Sequence, residues 1–302
     1  MTAKLIDGKQ AATRIRAGLK EQAGQLSAAG TTPGLGVILV GDDPASHSYV
    51  TAKEKACAEA GIYSEDQRLA ADISQRELIR RVQAMNANPR IHGILVQLPL
   101  PAHINESEVL LAIDPDKDVD GFHPMNVGRM VLGEKSFLPC TPHGVVQLLK
   151  YSGVATEGAN AVIVGRSNIV GKPLANMLLQ KTALGNATVS VCHTRTVGMA
   201  DYTRRADILI AAAGKPGTVT ADMVRPGAVV IDVGVNRIED KTRKSGYRLV
   251  GDVDFEAVKE VASLITPVPG GVGPMTITML LHNTVESARQ TSQRNDVSSA
   301  VS

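Results

Sequence analysis

The chain has 302 residues, 43% of them hydrophobic and 21% charged, with a formal net charge of +2. This is the make-up of a soluble globular protein long enough for two domains, and it gives no reason to expect a nucleic-acid or membrane partner: no dense Lys/Arg run and no apolar stretch of ~18 residues occurs. Three widely spaced cysteines, Cys57, Cys140 and Cys192, suggest neither a disulfide framework nor a zinc site. Together with an N-terminus lacking the apolar core of a signal peptide, they predict a cytoplasmic protein.

Strand-like runs alternate with helical patterns through most of the chain, which predicts an α/β fold with parallel sheets. Residues 35–40 read as the first strand. Gly41-Asp42-Asp43-Pro44 then offers a carboxylate cap followed by proline at the first helical position, so a helix is expected over 45–61. At about 100° per residue, Lys53 falls on one stripe with Tyr49, Ala56, Cys57 and Ala60, whereas Lys55 points elsewhere. An ammonium held against small residues is poorly solvated, and its pKa falls toward the range where a lysine passes protons at neutral pH. The plain alternative is a lysine whose stem snorkels over a small-residue stripe. A helical stretch follows at 74–86 and an apolar run at 91–96, whose end carries Gln97, an amide that needs partners for its donors and acceptor if buried.

Residues 114–141 are rich in Asp, Pro and Gly and lack sustained periodicity, so they read as a long functional loop with a domain boundary near residue 140. Within it, Asp116-x-Asp118-x-Asp120-Gly121 matches the opening of a calcium-binding EF-hand loop. The match fails at its closing position, where Val127 replaces the required glutamate, and Pro124 and Gly128 argue against an exit helix. A carboxylate loop facing a ligand, or a solvated acidic turn, are the remaining readings, and no metal site is expected.

In the second half, residues 161–164, 188–191, 208–211 and 229–233 read as short buried strands. The first runs into Gly165-Arg166-Ser167-Asn168-Ile169-Val170-Gly171, a small-residue turn before a helix, as in dinucleotide-binding folds, although Ser167 stands where a second glycine is usual. The next strand ends Cys192-His193-Thr194-Arg195, placing a cation where NAD-preferring sites carry a carboxylate, which favours NADP. A last helix is expected over 274–290 after a Pro/Gly-rich loop, and 291–302 as a polar, disordered tail.

Taken together, these segments resemble the bifunctional methylenetetrahydrofolate dehydrogenase/cyclohydrolase family. The matching pieces are Tyr49-x-x-x-Lys53, Val96-Gln97-Leu98-Pro99-Leu100-Pro101, Lys117-Asp118-Val119-Asp120-Gly121, Pro139-Cys140-Thr141-Pro142, the stretch from Gly165 to Pro173, and the stretch from Pro267 to Thr276. They occur in the family's order and cover nearly the whole chain apart from the tail. The resemblance implies a folate-binding catalytic domain over 1–140, with the last helix returning to it, and a Rossmann-like NADP-binding domain over 141–273. It implies NADP-dependent oxidation of 5,10-methylenetetrahydrofolate and hydrolysis of the product to 10-formyltetrahydrofolate, steps of one-carbon metabolism that serve purine biosynthesis, in a homodimer. It makes Lys53 the catalytic lysine, with Tyr49, Gln97 and Asp120 around it; Asp120 anchors the pterin and Pro274 lines the folate cleft. Gly165, Arg166, Ser167, Thr194, Arg195 and Val235 fall on the cofactor side. Two rivals are a short-chain-type NADP oxidoreductase, which also writes Tyr-x-x-x-Lys but places it after the glycine-rich turn, and a non-catalytic NADP-binding sensor.

Overall fold

The computed structural model describes residues 2–243 and 246–301, with only the backbone at residues 45 and 295–301. Its first half contains β1 (Lys4–Leu5), α1 (Gly8–Ala28), β2 (Gly34–Val40), α2 (Pro44–Ala60), β3 (Tyr63–Leu69), α3 (Gln75–Ala87), β4 (Gly93–Val96), α4 (Glu106–Leu111) and α5 (Pro124–Leu132). The second half contains α6 (Cys140–Tyr151), β5 (Asn160–Val164), α7 (Gly171–Leu179), β6 (Thr188–Cys192), α8 (Met199–Thr203), β7 (Ile208–Ala211), β8 (Val229–Asp232), β9 (Asn236–Glu239), β10 (Tyr247–Val250), α9 (Phe255–Val258), β11 (Leu264–Ile265) and α10 (Val272–Val301). The chain divides into two compact units, one of Arg14–Cys140 with Ile277–Ser302, the other of Met1–Thr13 with Thr141–Thr276. The first thirteen residues therefore join the unit built by the second half of the chain.

The first of these units carries a three-stranded parallel sheet in the order β3-β2-β4. Every residue of the central strand β2 is buried, as its unbroken apolar run requires of a strand covered on both faces. Helix α2 starts as the sequence predicts: the Asp43 carboxylate accepts the Ser46 N–H at 2.8 Å, Pro44 opens the helix, and Gly61 closes it at φ 71°. Ile38, Val40, Leu78, Val82, Met85, Ile94 and Val96 form the core between β2, β4 and α3.

Two expectations change here. Helix α5 begins at Pro124, within the stretch read as loop, because proline suits the first helical turn and the His123 ring accepts the Met125 N–H at 3.1 Å as its cap; Gly128 is simply tolerated inside it. Helix α10 runs on past Gln290 to Val301. Its polar residues are accommodated by bonds to their own helix, such as Thr291 Oγ1 to the Ser287 carbonyl at 3.1 Å, and by an Arg294–Asp116 ion pair at 2.6 Å. Ser302 lies outside the described residues.

The other unit is a six-stranded parallel sheet in the order β1-β11-β8-β7-β5-β6, with a separate antiparallel β9–β10 hairpin. From β5 the chain crosses through α7 to β6 on one side, and then β7 pairs with β5 on the other. The C-terminal ends of β5 and β7 thus flank a topological switch point, where open α/β sheets bind ligands.

Candidate active site

In the three-stranded unit, the stripe on α2 is realised: Lys53 is 6% exposed, and Ala56, Cys57 and Ala60 are buried beside it. Lys55 stands in solvent, its ammonium 3.9 Å from Glu59. Lys53 Nζ donates to Gln97 Oε1 at 2.9 Å, and Gln97 Nε2 donates to the Leu98 carbonyl at 2.7 Å. The amide's orientation is thereby fixed, with its oxygen toward the lysine. The Gln97 N–H bonds the Ile38 carbonyl at 2.8 Å, so the residue is tied to the end of the sheet. Tyr49, one turn before Lys53, is half-buried, and burial pushes its phenol above the ordinary range.

Asp120 reaches this group because Asp118 shapes its loop. The fully buried Asp118 carboxylate accepts N–H groups of Gly121, Phe122 and His123 at 3.2, 3.2 and 2.8 Å, and the Asn126 amide at 2.9 Å. Its oxygens are thus committed to the turn, which is why the EF-hand-like spacing builds a loop anchor. Among the described residues no group of three His, Cys, Asp or Glu side chains is placed to hold a metal ion. Gly93 lets Val119 lie against β4, since a Cβ there would sit 2.6 Å from Val119 Cγ1. From α10, Asn283 donates to the Val119 and Leu138 carbonyls at 2.8 and 3.0 Å, and Ser287 to those of His92 and Asp116 at 2.6 and 3.0 Å.

The electrostatics of the cluster follow from this burial. Desolvation lowers the Lys53 pKa below the ordinary lysine range, opposed mainly by attraction to Asp120. Desolvation pushes Asp120 up to about 6, with Lys53 pulling it down and Asp118 pushing it further up. Cys140, fully buried, lies in the same field and is raised well above the usual thiol range by burial first and then by Asp120. Sequence reading set Cys140 aside as a disulfide or zinc candidate and counted Pro139-Cys140-Thr141-Pro142 among the family-matching pieces, but gave the thiol no role and missed its place beside the carboxylate. A lysine with a destabilised charge, an orienting amide and a half-buried carboxylate can exchange protons with a bound substrate and hold its polar edge.

In the six-stranded unit, a cavity of ≈ 440 Å³ opens at the switch point. Gly165, Arg166, Ser167 and Thr194 line it, together with His193, Met199, Ala212, Ala213 and residues 215–218. Arg195 and Val235 lie outside the lining. Both are exposed, Arg195 directly after Thr194 and Val235 in the loop after β8. The turn needs its glycines: a Cβ on Gly165, at φ +136°, would lie 2.1 Å from the Ala212 carbonyl oxygen, and one on Gly171 2.1 Å from that of Gly165. Ser167 Oγ accepts the Val170 and Gly171 N–H groups at 3.1 and 3.4 Å, so it caps the turn at the position of the missing glycine. Close backbone approach, a helix start and exposed arginine at the rim suit a phosphate-bearing dinucleotide. Pro274 falls in this unit, in the first turn of α10.

Fold and sites together define an α/β enzyme with a dinucleotide-binding unit and a unit carrying a buried lysine centre. Residues 6–120 match the tetrahydrofolate dehydrogenase/cyclohydrolase catalytic domain, and residues 139–292 the NAD(P)-binding domain of the same enzymes. The chain belongs to the tetrahydrofolate dehydrogenase/cyclohydrolase family. It is 60% identical to the bifunctional protein FolD of Syntrophus aciditrophicus over 96% of this chain and 98% of that one. The crystal structure of the bifunctional methylenetetrahydrofolate dehydrogenase/cyclohydrolase FolD from Campylobacter jejuni superposes with a TM-score of 0.90 at 52% identity, covering 96% of this chain and 99% of that one. That of the Trypanosoma brucei enzyme, complexed with NADP cofactor and an inhibitor, does so with a TM-score of 0.92 at 40% identity and the same coverage.

Proposed function

We infer that this chain oxidises 5,10-methylenetetrahydrofolate to the 5,10-methenyl form with NADP and hydrolyses that product to 10-formyltetrahydrofolate, in one-carbon metabolism. Family membership carries the pair of reactions; the observation that carries the site is Lys53, buried and held by Gln97 in the field of Asp120. Bound NADP supplies the hydride acceptor for the first step.

Lys53 works in the second step. Water adds to the methenyl carbon and loses a proton, and the bond from that carbon to N5 then breaks as N5 gains one. The neutral fraction of a desolvated Lys53 takes the first proton and returns the second. Gln97 keeps the amine oriented and Tyr49 shapes the folate site. Asp120 accepts hydrogen bonds from the N–H and amino donors on one pterin edge, a geometry that suits a carboxylate. Gly165, Arg166, Ser167 and Thr194, with Val235 and Arg195, would hold the dinucleotide, the Arg195 cation being the group suited to a 2′-phosphate. The protein works in the cytoplasm as a homodimer; among the described residues no helix is long and apolar enough to cross a membrane. The dimer assignment rests on the family resemblance and is checked by light scattering.

The deciding experiment follows NADPH and the methenyl chromophore with 5,10-methylenetetrahydrofolate as substrate, using each nicotinamide cofactor in turn. Turnover with NADP above NAD, followed by decay of the methenyl signal in the enzyme's presence, is the expected result. No reduction of either cofactor leaves the sensor reading in its place.

A further inference from the structure

Next to the cavity-lining Ala213, two buried carboxylates have no part in the reaction above. Asp252 is 0% exposed and Asp232 3% exposed. Among the described residues neither has a lysine or arginine ion-pair partner. N–H donors supply the compensation. Asp252 Oδ2 accepts the Ala213 and Gly214 N–H groups at 2.6 and 2.8 Å, and its Oδ1 accepts the Asn236 amide at 2.9 Å. Asp232 accepts the N–H groups of Gly234, Asp252 and Val253 at 3.0, 2.9 and 3.0 Å, so it fixes the backbone on which Asp252 stands.

The two carboxylates are packed so closely that side chains are excluded around them. A Cβ on Gly234 would lie 2.2 Å from Asp252 Oδ1, and one on Gly251 1.8 Å from Asp232 Oδ2. The Asp252 backbone continues the same task, because its carbonyl accepts the Val219 N–H at 3.1 Å. One residue thus ties the segment 212–219 at Ala213 and Gly214 and again at Val219, and the cavity-lining Lys215 and Thr218 lie between those ties. Successive N–H groups such as those of Ala213 and Gly214 form a concavity that attracts anions. Here the protein's own carboxylate fills it, which leaves the turn between β5 and α7 as the place for the ligand's phosphates.

We propose that Asp252 is a positioning residue of the NADP cavity, holding the 212–219 lip in its binding shape. This rests on the reading of the cavity as an NADP site. The test compares the full-length parent, Asp252→Ala and Asp252→Asn. It measures the NADP dissociation constant by titration, the NADP KM and kcat of the dehydrogenase, and cyclohydrolase turnover on methenyltetrahydrofolate without NADP. Asp252→Ala is expected to weaken NADP at least tenfold, with kcat at saturating NADP within threefold and cyclohydrolase turnover within twofold of the parent. Asp252→Asn, whose neutral oxygen is a weaker acceptor and whose amide faces the Asn236 donor, is expected to weaken NADP at least threefold with the same pattern. If Asp252→Ala loses both activities together it has misfolded, and Asp252→Asn alone decides. NADP binding at parental strength in Asp252→Asn, or in a folded Asp252→Ala, overturns the proposal. A parent that binds no NADP overturns the cavity's assignment instead, so the two failures are told apart.

Discussion

Replacing Asp120 with asparagine is expected to stabilise the protein while damaging its affinity for folate. Burial pushes the carboxyl up to about 6 in the folded chain, above the ordinary aspartate value of ~3.9, which corresponds to ~3 kcal/mol. That figure already contains the attraction of Lys53. Between those two values the folded chain holds more protons than the unfolded one, so stability falls as pH rises through the window. Above about 6 the full cost of the charge is present; below about 4 it is absent. Asp120 keeps part of its surface in water, and an amide needs partners of its own, so the gain expected at pH 7.5 is ~1–2 kcal/mol. Urea unfolding of the parent and Asp120→Asn at pH 7.5 and pH 4 measures it, and steady-state kinetics should show a raised folate KM. A variant no more stable than the parent at pH 7.5, or a stability difference unchanged at pH 4, would refute the assignment of a destabilised charge.

Three further outcomes follow from the same geometry. Lys53→Met should lower cyclohydrolase turnover by ~10²–10⁴ with the NADP dissociation constant unchanged; near-parental turnover would remove the lysine from the mechanism. Arg195→Glu should weaken NADP about tenfold or more, on the order of one lost charge-assisted contact to phosphate, and leave NAD much less affected; equal losses for both cofactors would end the 2′-phosphate argument. Gly93→Ala, which pushes a methyl toward Val119, should cost ~1–3 kcal/mol and raise the folate KM by shifting Asp120. Parental values for both would show that the loop is not set by that contact.

The legible parts of this molecule are those where burial dictates composition. β2 and β7 are continuous apolar runs, and α2 announces itself by a cap, a proline and a small-residue stripe that buries one of two lysines. β3 was not legible: Tyr63–Leu69 is largely polar because it lies at the sheet's edge with β2 as its one partner. The hairpin β9–β10 carries no alternating apolar face either. At the lysine centre, the individual residues were visible but the role of Asp118 was not. An Asp-x-Asp spacing looks alike whether its oxygens take a cation or backbone N–H groups. Asp232 and Asp252 lie twenty residues apart, and nothing local in the chain marks them as neighbours.

The order in which the chain is made gives the long last helix a further meaning. Asn283 and Ser287 secure the backbone around Val119 and Asp116, yet they leave the ribosome more than 160 residues later. The three-stranded sheet therefore emerges early with its carboxylate loop unfastened, and α10 closes it later. Completion of the loop that carries Asp120 thus waits on residues 283–287, and a nascent chain stalled before residue 277 would lack the bonds that hold the Val119 and Asp116 carbonyls.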